Sequence, residues 1–220
     1  MSSRIWNLNQ YKGRTALIDE FGNELSYDLM KSESYVLAEN IGKRCLVFCL
    51  CKNEIGSILG YVSFVNNGIV PVLLNSHLER ELLQNLMRTY EPAYLWVPEE
   101  QVGQFSGMVN RHRIHNYVLL ETGYKKEYPL NNKLCLLLTT SGSTGSPKLV
   151  RQSYTNVLDN AQSIVQYLKL DETERPITTL PMNYTYGLSI INTHLLTGAT
   201  ILVTDKGLMQ KEFWNFFKER

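Results

Sequence analysis

Leu134-Cys-Leu-Leu-Leu-Thr-Thr-Ser-Gly-Ser-Thr-Gly-Ser-Pro-Lys148 carries an apolar run straight into a Ser/Thr/Gly loop closed by Pro147 and Lys148. A short apolar run bounded by turn residues reads as a buried strand. The loop after it has the chemistry of a polyphosphate cradle. Gly142 and Gly145 let the backbone turn successive N–H groups inward, Ser141, Ser143 and Thr144 add hydroxyl donors, and Lys148 brings a mobile positive charge. A Walker P-loop needs Gly-Lys-Ser/Thr opening a helix. Here Lys148 follows Pro147 and leads into Leu149-Val-Arg-Gln-Ser153, a short-strand pattern before a helix that Ser153 caps. The loop is therefore expected to join two strands.

Outward from this stretch the chain alternates strand and helix patterns. Thr15 to Asp19 and Glu24 to Tyr27 read as short strands around a Phe-Gly-Asn turn, followed by a helix ending near Ile41-Gly42. Cys45 to Cys51 reads as a strand, Ile55 to Phe64 as a helix, and Ile69 to Leu73 as a strand. Ser76-His-Leu-Glu79 has the spacing of a capping box for a helix carrying Leu82, Leu83 and Leu86. Ala93 to Val97 and Tyr117 to Leu120 are strand patterns, and Arg111-His-Arg-Ile-His115 reads as a solvated turn before the second of them. The polar connection from Glu121 to Lys133 is the best internal boundary, dividing residues 1–130 from 131–220. After Ser153, Val157, Leu158, Ala161, Ile164, Val165 and Leu168 recur on one helical stripe. This alternation predicts an α/β fold of layered, mostly parallel sheets flanked by helices.

Composition narrows the function classes. A net charge of +1 with interleaved acids and bases leaves no electrostatic footprint for nucleic acid or an anionic membrane. Ile55 to Leu74 is uncharged for about the length of a membrane helix, but Asn66, Asn67, Gly68 and Pro71 divide it, so no membrane span is expected. No signal peptide is evident at Met1-Ser-Ser-Arg-Ile-Trp, and the default location is cytoplasmic. The four cysteines suit a reducing compartment, and Cys45, Cys49 and Cys51 read as positions of a buried strand rather than metal ligands. No metal ligand set is assigned. Asp19, Glu20, Glu99 and Glu100 form no identifiable acid/base pair.

Thr140-Ser-Gly-Ser-Thr-Gly-Ser-Pro-Lys148 resembles the phosphate-binding signature of the adenylate-forming (AMP-dependent synthetase/ligase) superfamily, which includes acyl-CoA synthetases and non-ribosomal peptide adenylation domains. Glu24-Leu-Ser-Tyr-Asp-Leu29, Phe64-Val-Asn-Asn-Gly-Ile-Val-Pro-Val72, and Leu180-Pro-Met-Asn-Tyr-Thr-Tyr-Gly187 followed by Gly198-Ala-Thr-Ile-Leu-Val203 resemble further elements of that family, in its order. The chain departs at Leu149, where the family usually has Gly, and at Tyr184, where many members have His. Tyrosine cannot carry the charge of an imidazolium near pH 7. Tyr184 either donates a phenolic hydrogen bond or is a half-buried aromatic of the turn. Asn183 and Thr185 beside it are either substrate contacts or ordinary turn residues.

The resemblance implies the N-terminal portion of the family's large domain. It also implies a ligase that makes an acyl-adenylate from a carboxylic acid and ATP and passes the acyl group to coenzyme A or a carrier-protein phosphopantetheine. Thr140, Ser141, Gly142, Ser143, Thr144, Gly145 and Lys148 are the implied ATP-phosphate residues, with Tyr184 near the acyl site. Mg2+ is implied too, with ligands expected mainly beyond residue 220. The family's later adenine, ribose and hinge motifs have no counterpart before Arg220, so the 220 residues are expected to be part of a longer enzyme and inactive alone. The face of the last helix, with Phe213, Trp214, Phe216 and Phe217, is expected to be exposed and to promote self-association. Two other readings are a true P-loop enzyme, with Lys148 at a helix start, and a non-catalytic binding module keeping half of the fold.

Overall fold

The computed structural model describes residues 5–139 and 148–220. In chain order the first elements are β1 (Thr15–Asp19), β2 (Glu24–Ser26), α1 (Tyr27–Glu39), β3 (Leu46–Cys51), α2 (Ile55–Asn66), β4 (Val70–Asn75), α3 (Arg80–Tyr90) and β5 (Tyr94–Pro98). Then follow β6 (Val109–Ile114), β7 (Tyr117–Glu121), β8 (Leu134–Thr139), β9 (Leu149–Ser153), α4 (Tyr154–Leu168), α5 (Thr185–Thr197), β10 (Ile201–Val203) and α6 (Lys211–Glu219). The expected α/β layering is present.

A seven-stranded sheet has the order β6-β7-β5-β3-β4-β8-β9. Its four central strands, β5, β3, β4 and β8, are parallel, while β7, β6 and β9 extend the two edges antiparallel. Helices cover both faces, so a central strand such as Leu46-Val-Phe-Cys-Leu-Cys51 is apolar at every position and buried at every position. Alternate residues take opposite sides: Val47, Cys49 and Cys51 pack with residues of α1 and α2, and Leu46, Phe48 and Leu50 pack with Leu83, Leu86 and Met87 of α3. A second sheet of three strands, β10-β1-β2, draws its members from both ends of the chain.

Tyr27 ties the two ends together. Ser26 caps α1 by accepting from the Leu29 N–H, and the buried Tyr27 hydroxyl donates to the Ala199 carbonyl at 2.8 Å, across 172 residues of sequence. The strand expected to include Tyr27 thus ends one residue earlier, because Ser26 starts the helix. Tyr27→Phe is expected to lower stability by about 1 kcal/mol, read as a shift of the urea midpoint at unchanged slope. An unchanged midpoint would show that the bond contributes nothing.

Four local expectations are corrected. Ser76 does not cap α3: the helix starts at Arg80 with Glu79 at its N-cap and no side-chain cap, and Ser76 is buried with its hydroxyl oxygen unpartnered. Asn75 takes over the turn instead, its Oδ1 accepting from the His77 N–H at 2.8 Å. Arg111 to Ile114 is not a turn but part of edge strand β6, with Arg111 paired to Glu121 and Arg113 to Glu99; the turn is His115-Asn116, both in the left-handed region at φ 47 and 59. The stripe of α4 is buried at Val157 and Ala161, half-buried at Leu158, Ile164 and Val165, and exposed at Leu168. On α6, Phe213 and Phe216 are buried while Trp214 and Phe217 remain partly exposed, so half of the expected face is already covered.

Among the described residues no helix is long and apolar enough to cross a membrane.

Candidate active site at the carboxyl ends of the strands

In open α/β sheets, ligands bind beyond the carboxyl ends of the parallel strands. Here β3, β4 and β8 run out together: Cys49 is level with Leu73, and Leu73 with Leu138. Beyond β8 comes the segment with Thr140, Ser141, Gly142, Ser143, Thr144 and Gly145, which lies outside the described residues. Its two flanks are described. Thr139 pairs with Leu149 in the antiparallel β8–β9 ladder, so the described residues on either side of the segment belong to one strand pair. Lys148 stands at the foot of β9, exposed, one residue from that pair. It precedes a strand and not a helix, which removes the P-loop reading. Leu149, the departure from glycine, continues the ladder and packs half-buried against the cluster containing Leu137.

Ser153 ends β9 and starts α4 with a reciprocal cap. Its hydroxyl accepts from the Asn156 N–H at 3.0 Å, and its own N–H donates to Asn156 Oδ1 at 3.2 Å. The hairpin is therefore fixed at its far end as well as along its ladder.

The second limb is the turn Leu180 to Gly187 entering α5. Tyr184 is the N-cap residue of α5, 48 % exposed, with its N–H donating to the Pro181 carbonyl at 3.1 Å and its carbonyl accepting from Leu188 at 2.9 Å. Its phenol is thus presented at the positive end of a helix. Thr185 is exposed beside it, whereas Asn183 is buried. Gly187 makes the tight turn possible: a Cβ there would lie 2.6 Å from the Leu180 carbonyl oxygen.

Sequence reasoning missed the residue that anchors this turn. Asn53, in the loop after β3, donates from Nδ2 to the Leu180 carbonyl and accepts at Oδ1 from the Met182 N–H, each at 3.2 Å. A single amide after an apolar strand carries no sign of its partners more than a hundred residues away. Lys52 next to it is engaged by Glu54 at 2.5 Å and Glu100 at 3.2 Å.

The cysteines are structural. Cys49, Cys51 and Cys135 are buried, and burial pushes the Cys51 and Cys135 thiols up to about 12 and the half-buried Cys45 thiol up to about 11. Thiolates, the form that binds metal or attacks, are disfavoured at all of them. Among the described residues no group of three or more His, Cys, Asp or Glu could hold a metal ion.

A largely parallel sheet with helices on both faces defines an α/β layered protein. The chain belongs to the AMP-binding enzyme family, whose model matches residues 5–220. It is 24% identical over 197 residues to 2-succinylbenzoate–CoA ligase of Listeria innocua, covering 88% of this chain and 42% of the relative. It is 27% identical over 167 residues to the Bacillus anthracis ligase of the same name, covering 76% of this chain and 34% of that one. MatB from Rhodopseudomonas palustris shares the fold in its apo and ATP-bound crystal structures, with TM-scores of 0.75 and 0.73 at 17% identity, covering 94% of this chain and 46% of MatB. The chain thus spans less than half the length of these proteins.

Proposed function

We propose that this chain supplies the ATP-phosphate limb and part of the acyl limb of an ATP-dependent acid–thiol ligase. A carboxylate oxygen attacks the α-phosphorus of ATP in line, a new P–O bond forms, and the bond to the bridging oxygen breaks, so that pyrophosphate leaves with its electron pair. A thiol then takes the acyl group and AMP departs. Catalysis here is chiefly positioning and charge neutralisation. Lys148 neutralises the phosphates, the hydroxyl and backbone donors of Thr140, Ser141, Gly142, Ser143, Thr144 and Gly145 cradle them, and Tyr184 donates its phenolic proton in a hydrogen bond near the acyl group. Magnesium, when bound to the nucleotide, adds further neutralisation, and none of the described residues is assigned to it. The observation that carries this reading is the β8–β9 register, which sets Lys148 beside the carboxyl end of β8.

The names of the relatives point to an aromatic dicarboxylic acid as substrate and coenzyme A as acceptor; a carrier-protein phosphopantetheine is the other acceptor of this chemistry. The test is acid-dependent ATP–pyrophosphate exchange by the full-length gene product with an acid panel that includes 2-succinylbenzoate. Exchange that requires one acid establishes adenylation and the substrate class together. No exchange from a folded, full-length product moves the function to non-catalytic binding. Residues 1–220 alone are expected to form no acyl-adenylate, and detection of that product by mass spectrometry would overturn this expectation.

A further inference from the structure

Asn53 sits two residues past the carboxyl end of β3 and is only 7 % exposed. Both ends of its carboxamide are used on one short piece of backbone, the Leu180 carbonyl and the Met182 N–H on either side of Pro181. A strand neighbour would offer the same donor and acceptor, so Asn53 acts as a one-residue strand partner for a turn that contains a proline. Only a carboxamide of this length supplies both: aspartate lacks the donor for Leu180, and glutamine carries its amide one methylene further out. The support continues around the turn. Ser57 Oγ lies 3.1 Å from Met182 Sδ, the Pro181 carbonyl accepts from Tyr184 at 3.1 Å, and Gly187 leaves room for the Leu180 carbonyl. On its other side, the Asn53 N–H donates to Asp205 Oδ1 at 3.3 Å, two residues past the end of β10. One residue thereby links the carboxyl ends of β3 and β10, in different sheets, to the turn that presents Tyr184.

We propose that Asn53 is a positioning residue for acid activation, holding the Leu180–Tyr184 turn so that Tyr184 faces the acyl group. This rests on the adenylation reading above. Its structural part and its kinetic part are separable in one set of variants, Asn53→Ala and Asn53→Asp. Hydrogen exchange of the chain reports the turn directly. In Asn53→Ala the Met182 amide is expected to exchange about 10- to 100-fold faster while the amides of β3 and β4 keep their protection; Asn53→Asp, which retains the acceptor, gives a smaller increase. In the full-length product, the KM for the acid is expected to rise about 10-fold or more with the KM for ATP unchanged. Unchanged exchange at Met182, or equal loss of protection throughout the sheet, overturns the positioning role. Faster exchange at Met182 with an unaltered KM for the acid overturns its link to the reaction. If the parent enzyme shows no acid-dependent exchange at all, adenylation fails and the kinetic part with it, while the Met182 amide still decides whether Asn53 holds the turn.

Discussion

Lys148→Ala in the full-length gene product is expected to lower acid-dependent ATP–pyrophosphate exchange by about 100- to 1,000-fold, the scale seen when one preorganised donor to a developing charge is removed. Lys148 is exposed and lies just outside the β8–β9 ladder, so its side chain is not part of the packed core, and the urea midpoint of the variant should stay where it was. Lys148→Arg separates charge from shape. An arginine keeps the positive charge but spreads it over a planar fork, so it should restore part of the loss and leave a deficit of about 10-fold. Exchange within threefold of the parent in Lys148→Ala would remove this residue from the phosphate site.

The size of that effect depends on where the ladder places the lysine. Leu149 pairs with Thr139, and the pairing continues through Val150 opposite Leu138 and Arg151 opposite Leu137. A register slip of one residue would turn Leu149 from the cluster around Leu137 toward the other face, so packing fixes the position of the preceding residue too. The leucine found where a glycine is usual in the family therefore continues the β8–β9 ladder. It gives the start of β9 an apolar anchor that a glycine lacks.

Sequence reading reached the central strands because their signal is local. Leu46 to Cys51 and Leu134 to Thr139 are apolar runs ended by turn residues, and both are central strands of the seven-stranded sheet. The hairpin reading of Lys148 to Ser153 also rested on neighbours in sequence, and β9 followed. What escaped depended on partners distant in sequence. Strand β6 alternates Asn110, Arg111, His112 and Arg113 at a sheet edge, where charged residues guard against further pairing and erase the apolar period that marks a strand. The Ser76 cap failed because Asn75 competes for the same turn. Asn53 was invisible because its partners, Leu180, Met182 and Asp205, lie 127, 129 and 152 residues further along the chain. The two limbs of the candidate site thus differed in legibility: the Lys148 limb is written in one stretch, and the Tyr184 limb is assembled by tertiary contacts.

Gly60→Ala is expected to destabilise the fold by about 2–3 kcal/mol, although alanine is the better helix former. On an open helix face the exchange would gain about 1 kcal/mol from propensity. Gly60 is not on an open face. Helix α2 is buried from Ile55 through Val65, and a Cβ at Gly60 would stand 2.5 Å from Trp96 Cδ1 and 2.8 Å from Trp96 Cε2. The indole cannot swing away at low cost, because its Nε1–H donates to the Gly56 carbonyl at 2.9 Å and its rings pack against Phe64 and Tyr117. Gly56, one helical turn earlier, is equally close: a Cβ there would come 2.7 Å from Tyr117 Cδ2. The two glycines therefore set the distance between α2 and the β5–β7 part of the sheet, and a methyl group must push the helix out or distort the ring. For a domain of this size the loss corresponds to a fall in Tm of about 4–12 °C. A double-mutant cycle with Trp96→Phe tests the cause. The smaller ring leaves room beside Gly60, so Gly60→Ala should cost less in that background, with a coupling of about 1–2 kcal/mol. If Gly60→Ala proves neutral or stabilising alone, helix propensity outweighs the contact and α2 does not depend on glycine for its approach to the sheet.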